Sequence, residues 1–129
     1  MQNRPEQIKQ DYINLIDSHL EDLVQGRADE MFEIEDFAER LFIHPTHLSN
    51  TIKQLTGGSP CDIYEVKIVA VAKGLLNDRE RSIKDVALLL TFNPSQFTKW
   101  FKRYAGTTPK AYRKSLSEPV FVDFAELVM

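Results

Sequence analysis

Cysteine is nearly absent from this sequence. Cys61 is the only one in 129 residues, so no internal disulfide framework exists and a reducing compartment, the cytoplasm, is expected. No run of 18 apolar residues occurs, so no membrane-spanning helix is expected. The opening Met1-Gln2-Asn3-Arg4-Pro5-Glu6 lacks the apolar stretch of a secretory signal. Gly57-Gly58-Ser59 is not followed by the Gly-Lys-Ser/Thr of a phosphate loop and reads as a helix stop. Histidine is scarce too. His44 and His47 stand three apart, a ligand-like spacing, but neither a cysteine nor a carboxylate cluster joins them, so no metal is expected. His19 falls on an apolar helix face and reads as a packed core residue. Cys61 has no histidine partner nearby and reads as a buried structural thiol. No converging set of reactive groups is present, so neither an enzyme nor a cofactor is predicted.

What the sequence does contain is an ordinary globular balance, 43% apolar and 27% charged residues, with its charges sorted along the chain. The net charge is −3. Residues 1–33 hold three Lys/Arg against eight Asp/Glu, and residues 34–61 hold two against three. Residues 62–116 reverse this with eleven against five, and residues 117–129 hold three acids and no base. A basic segment thus lies between acidic ends, and the local field is what a phosphate backbone meets.

The sequence also repeats itself. Residues 34–60 align with 83–109 at a constant offset of 49 without a gap. Ile34 matches Ile83, Asp36 Asp85, Ala38 Ala87, Leu41 Leu90, Pro45 Pro94, Lys53 Lys102, Gly57 Gly106 and Pro60 Pro109. Two copies are too few for a solenoid, which needs about three. Each copy reads as helix, short turn, helix and glycine stop. Ile34, Phe37, Ala38 and Leu41 keep helical spacing, Pro45 opens the next helix behind His44, and Leu48, Ile52 and Leu55 form its buried stripe. In the second copy Asn93 caps, Pro94 opens, and Phe97, Phe101 and Tyr104 are expected to be buried. Small Ala38 and Ala87 allow the two helices of each copy to cross closely. Two short helices joined by three or four residues, the second with a polar outer face, describe a helix-turn-helix.

The expected fold is all-α: two homeodomain-like helix-turn-helix units in tandem, joined by a central linker helix. The divisions are 1–33, an amphipathic helix (Ile8, Tyr12, Leu15, Ile16, His19, Leu20, Leu23) and polar connection; 34–61, the first unit; 62–81, the linker; 82–116, the second unit; and 117–129, an acidic and apolar tail. In the linker Ile63, Val66, Val69, Ala70, Ala72 and Leu76 recur at helical spacing, predicting a helix over about 63–77. Its fifteen residues would rise roughly 22 Å.

These residues carry a family likeness. The stretch from Glu35 to Arg113 resembles the DNA-binding domain of the AraC/XylS family. Its marks are Asp36-Phe37-Ala38-Glu39-Arg40-Leu41, His44-Pro45-Thr46-His47-Leu48-Ser49, Leu75-Leu76 and Ile83-Lys84-Asp85-Val86-Ala87. The last is Phe97-Thr98-Lys99-Trp100-Phe101-Lys102-Arg103-Tyr104-Ala105-Gly106-Thr107-Thr108-Pro109-Lys110-Ala111-Tyr112-Arg113. The resemblance implies about seven helices and two recognition helices that enter successive major grooves on one face of DNA. Thr91-Phe92 stands where the family usually has Gly-Phe. Most full-length relatives carry a further domain, so the chain resembles the short members or is a piece of a longer regulator.

The outward side chains of the first recognition helix are expected to be Thr46, His47, Ser49, Asn50 and Lys53. Those of the second are Ser95, Gln96, Thr98, Lys99, Lys102 and Arg103. Asn50 and Gln96 suit adenine, Lys99 suits guanine, and Lys53, Lys102 and Arg103 suit phosphates. Arg113 and Lys114 would add backbone contacts. Trp100 is expected to pack against the linker helix instead of stacking on bases. The expected partner is double-stranded promoter DNA, with the transcription machinery as a further candidate, no membrane, and a monomer or weak dimer as the working state. The competing reading is a protein-interaction module that kept the fold and lost specific DNA binding, suggested by the acidic ends, a second turn about one residue shorter than the family's, and the apolar tail.

Overall fold

Helix starts follow from a simple local rule. Proline supplies a helical φ, its missing N–H is not needed in the first turn, and a preceding polar side chain satisfies a free backbone donor. Five helices begin on or beside a proline. In the computed structural model, which describes residues 3–117, seven α-helices follow one another and no strand occurs among the described residues. They are α1 (Arg4–Val24), α2 (Ile34–Arg40), α3 (Pro45–Thr56), α4 (Pro60–Leu76), α5 (Ile83–Leu89), α6 (Pro94–Ala105) and α7 (Pro109–Ser117).

The offset of 49 persists at the level of hydrogen bonds. The Thr46 N–H donates to His44 Nδ1 at 3.0 Å, and the Ser95 N–H donates to Asn93 Oδ1 at 3.0 Å. In the turns, the Ile43 N–H donates to the Ala38 carbonyl at 3.1 Å, as the Phe92 N–H does to Ala87 at 2.8 Å. Phe42 and Thr91 occupy the same left-handed conformation, with φ of 59° and 66°. Gly57 and Gly106 end α3 and α6 with φ of 80° and 84°. The repeat therefore extends to the third helix of each copy. Pro60 opens α4 behind Ser59, whose Oγ accepts the Asp62 N–H, and Pro109 opens α7 behind Thr108, whose Oγ1 accepts the Ala111 N–H.

Two apolar clusters form the interior. The first combines Ile8, Tyr12, Ile16, Leu20 and Leu23 of α1 with Phe37, Ala38, Leu48 and Ile52 of the first unit and Tyr64 and Ile68 of α4. The second combines Ala72, Leu75 and Leu76 of α4 with Val86, Ala87, Leu90, Phe97 and Phe101. The linker helix is thus a shared wall: its first half completes one core and its second half the other. Tyr12 fastens α1 to the start of α4 by donating to the Pro60 carbonyl at 2.7 Å, and Tyr64 donates to the Phe32 carbonyl at 3.0 Å. His19 is 3% exposed, stacks on Phe32 and accepts its N–H through Nε2 at 2.9 Å, as a core histidine should.

Several local expectations need correction. The linker helix begins at Pro60, earlier than expected, because Ser59 and Asp62 form a reciprocal capping box. Its 17 residues rise roughly 26 Å. Val66 and Ala70, both in the apolar series of the linker, are exposed, Val66 by 70%, because α4 carries apolar side chains around much of its circumference and spacing alone did not fix its rotation. Cys61 is exposed, lying in the first turn of α4 beside the buried Pro60. Tyr104 is 44% exposed, and its ring packs on Trp100 and under the Arg103 guanidinium instead of entering the core. Leu55 is half-buried. Of the acidic and apolar tail, residues 118–129 lie outside the described residues.

Candidate nucleic-acid interface

Each second helix of a unit is held by one face and leaves the other free. In α3, Leu48, Thr51 and Ile52 are buried. Thr46, His47, Asn50 and Lys53 are exposed on the opposite side, with Ser49 half-buried at the border. In α6, Phe97 and Phe101 are fully buried, while Ser95, Gln96, Lys99, Lys102 and Arg103 are exposed and Thr98 is half-buried. All of the predicted recognition-helix residues therefore lie on or beside the outward faces.

Backbone geometry sets these faces. Ala38 and Ala87 have no exposed surface, so the first helix of each unit lies close against the second. The caps on His44 and Asn93 fix where the recognition helices start, and hence the rotation of every later side chain. His44 acts as the cap of α3, its Nδ1 accepting the Thr46 N–H. No group of three or more potential metal ligands occurs among the described residues.

The two faces differ in charge. Lys53 is the only charged side chain of α3, whereas Lys99, Lys102 and Arg103 give α6 three cations. Thr98 Oγ1 donates back to the Pro94 carbonyl at 3.3 Å, and Ser95 Oγ donates to Asn93 Oδ1 at 2.8 Å. Both hydroxyls thereby gain a fixed orientation. Trp100 packs as expected. Its Nε1–H donates to Glu65 Oε2 of α4 at 2.6 Å, and its ring lies 4.8 Å from that of Phe92.

Arg113 serves a second purpose that sequence reasoning missed. Its Nε donates to the Leu76 carbonyl at 3.0 Å and its Nη2 to the Asp78 carbonyl at 3.3 Å. The guanidinium thus caps the Leu76 carbonyl at the end of α4, shares the Asp78 carbonyl just beyond it with the Arg81 N–H, and ties α7 to α4. Lys84 and Lys110, also missed, are exposed in the first turns of α5 and α7. The charge count of residues 62–116 is the signal that could have found them.

A family profile described as a helix-turn-helix domain matches residues 37–115. The chain belongs to the AraC-type helix-turn-helix family. It is 34% identical over 88 residues to an uncharacterized HTH-type transcriptional regulator, YobQ of Bacillus subtilis, an alignment covering 67% of this chain and 36% of the relative. A second B. subtilis regulator, YtdP, is 28% identical over 104 residues, covering 80% of this chain and 13% of the relative. The chain thus spans about a third or less of the length of these relatives. Among solved structures, this AraC-type chain is similar to the C-terminal domain of AraT, a response regulator from Geobacillus stearothermophilus. The TM-score is 0.73 at 25% identity, over 88% of each chain. It is also similar to the DNA-binding domain of AdpA, a global transcriptional factor seen in complex with a target DNA. There the TM-score is 0.64 at 27% identity, over 81% of this chain and 92% of the other. The all-helical fold expected from the repeat is the fold of these relatives.

Proposed function

We propose that this chain is a sequence-specific DNA-binding regulator of transcription, reading promoter DNA with α3 and α6 in successive major grooves. The observation that carries this reading is the repeat itself. One chain presents two equivalent, cap-defined helices, each with an apolar face in a core and a polar face in solvent. Two such heads need to lie about one helical turn apart, roughly 34 Å, and a linker helix of roughly 26 Å plus the width of each unit is compatible with that reach. A monomer is then sufficient to bind an asymmetric site. AdpA, whose DNA-binding domain is seen on DNA, supports the same use of the fold here. Such a protein works in the cytoplasm, alongside its DNA, and acts by binding and not by catalysis. The transcription machinery is its natural second partner.

Within this reading the side chains divide by chemistry. Thr46, His47, Ser49, Asn50, Ser95, Gln96, Thr98 and Lys99 stand toward the helix starts and meet base edges, with Asn50 and Gln96 suited to adenine and Lys99 to guanine. Lys53, Lys102 and Arg103 stand further along and grip phosphates. Arg113 holds α7 against α4, so its effect on DNA is indirect.

The test compares Lys99→Ala and Lys102→Ala on a bound duplex and on its single-base variants. Loss of Lys102 weakens binding on every duplex and lowers the salt slope by about 0.9, so its penalty shrinks about 3.5-fold between roughly 50 and 200 mM salt. Loss of Lys99 relaxes preference at one base pair, worth about 1–3 kcal/mol. Equal losses from both variants on all duplexes would defeat the division into reading and gripping.

A further inference from the structure

A hollow of about 330 Å³ lies on the seam between the two helix-turn-helix units. One side is built from the segment before α2 and from α4, through Glu33, Tyr64 and Glu65. The other is built from the α5–α6 turn and the recognition helix α6, through Phe92 and Trp100. Its size and position, between two packed units and walled by rings with a few polar groups, are those of a small-molecule site. DNA reading by the outward faces makes no use of it.

The chemistry of the walls selects the ligand. Tyr64, Phe92 and Trp100 contribute rings. The ring of Phe32, also in the wall, is already stacked on His19 and covered by the Arg40 guanidinium at 4.1 Å. Among the described residues no lysine, arginine or histidine lines the hollow, and Glu33 and Glu65 are its two carboxylates. Partial desolvation at the mouth of the hollow, followed by the carboxylates of Glu65, Asp62, Glu35 and Glu33, pushes the Cys61 thiol up from its ordinary range, and those carboxylates make the local field negative. Glu65 spends one oxygen on the Trp100 indole across the seam. An ammonium group is attracted both to such carboxylates and to aromatic faces, and an apolar body is favoured by the remaining walls.

We infer that this seam is a binding site for a small organic ammonium ion, its charge held by Glu33 and Glu65 and its apolar body against Tyr64, Phe92 and Trp100. The occupant touches both units at once, so it fixes how the second recognition helix sits relative to the first. This site depends on the fold and on charge, and its test needs no DNA, so it stands or falls separately from the DNA-reading proposal.

Trp100 is the only tryptophan in the chain and forms part of the wall, so it reports occupancy directly. The whole protein is titrated with phenethylammonium, and with 2-phenylethanol as the uncharged counterpart. Trp100 fluorescence and the single indole N–H resonance are followed. The expected result is a saturable change, with the ammonium binding about tenfold more tightly than the alcohol. Glu33→Gln and Glu65→Gln each reduce that preference, the glutamine oxygen at position 65 still accepting the indole N–H. Glu33→Gln alone decides the matter if the second variant disturbs folding, because Glu33 is exposed and its place in the capping box of α2 with Asp36 can be kept by the glutamine oxygen. No saturable response, equal affinity for the alcohol, or full ammonium preference in Glu33→Gln would overturn the inference.

Discussion

Truncating Ile16 to alanine tests whether α1 belongs to the first reading unit or merely lies upon it. Ile16 is fully buried, between Tyr12 and Leu20 of the same helix and in one cluster with Leu48 and Ile52 on the inner face of α3. The substitution removes three carbons from a site with no solvent to fill the space. Cavity-forming changes of this kind cost about 2–5 kcal/mol, and a site closed by three helices falls near the middle, about 3 kcal/mol. That is a large fraction of the roughly 5–15 kcal/mol that holds a domain folded. Urea unfolding followed by far-ultraviolet circular dichroism reads the change as a lower midpoint at unchanged m-value. Trp100 reports on the second unit, and because α4 walls both cores, its transition should coincide with the dichroism and shift equally. A loss below about 1 kcal/mol would refute a core role for α1. A shift in dichroism with no shift at Trp100 would refute the shared wall.

Other consequences follow from single residues. Burial lowers the His19 pKa below 6.5, with Arg40 acting the same way and Asp22 and Asp36 opposing. The unfolded chain therefore takes up a proton that the folded chain refuses. Stability from this site is complete above about pH 6.5 and is lost as pH falls from there toward the folded pKa. Urea midpoints measured between pH 7.5 and 5 should fall, and His19→Gln should flatten that dependence. Phe42 holds φ of 59° while 94% exposed, so Phe42→Gly relieves left-handed strain without losing packing. Against the entropy glycine adds to the unfolded chain, a net gain of about 0.5 kcal/mol is expected in the same assay. Among the cations, Lys102→Ala should flatten the salt dependence of DNA binding more than Lys84→Ala, because Lys102 lies on the recognition helix.

Much of the fold was legible because punctuation and periodicity agreed. Pro45 with Gly57, and Pro94 with Gly106, bracket α3 and α6, and the offset of 49 doubled the weight of each mark. The outward faces followed from the apolar stripes opposite them. Legibility failed where apolar residues surround a helix. In α4 both Val66 and Val69 fit an inward reading, yet only packing against two cores decides that Val69 turns in and Val66 turns out. Cys61 carried no periodic signal in a first turn whose buried member is Pro60. Arg113 could be recognised as a cation, but not as a donor to carbonyls 35 and 37 residues earlier in the chain. The seam between the units was invisible for the same reason, since its walls come from four separate stretches of sequence.

The central claim is that two equivalent helices of one chain read DNA together. Selection from random duplexes by the purified protein, with the winners titrated from low to physiological salt, tests it most directly. The account predicts two short sequence blocks about one helical turn apart, bound by a monomer and still held at physiological salt. Binding without enrichment that vanishes as salt rises would contradict it, leaving only charge attraction and favouring a module that kept the fold for protein partners.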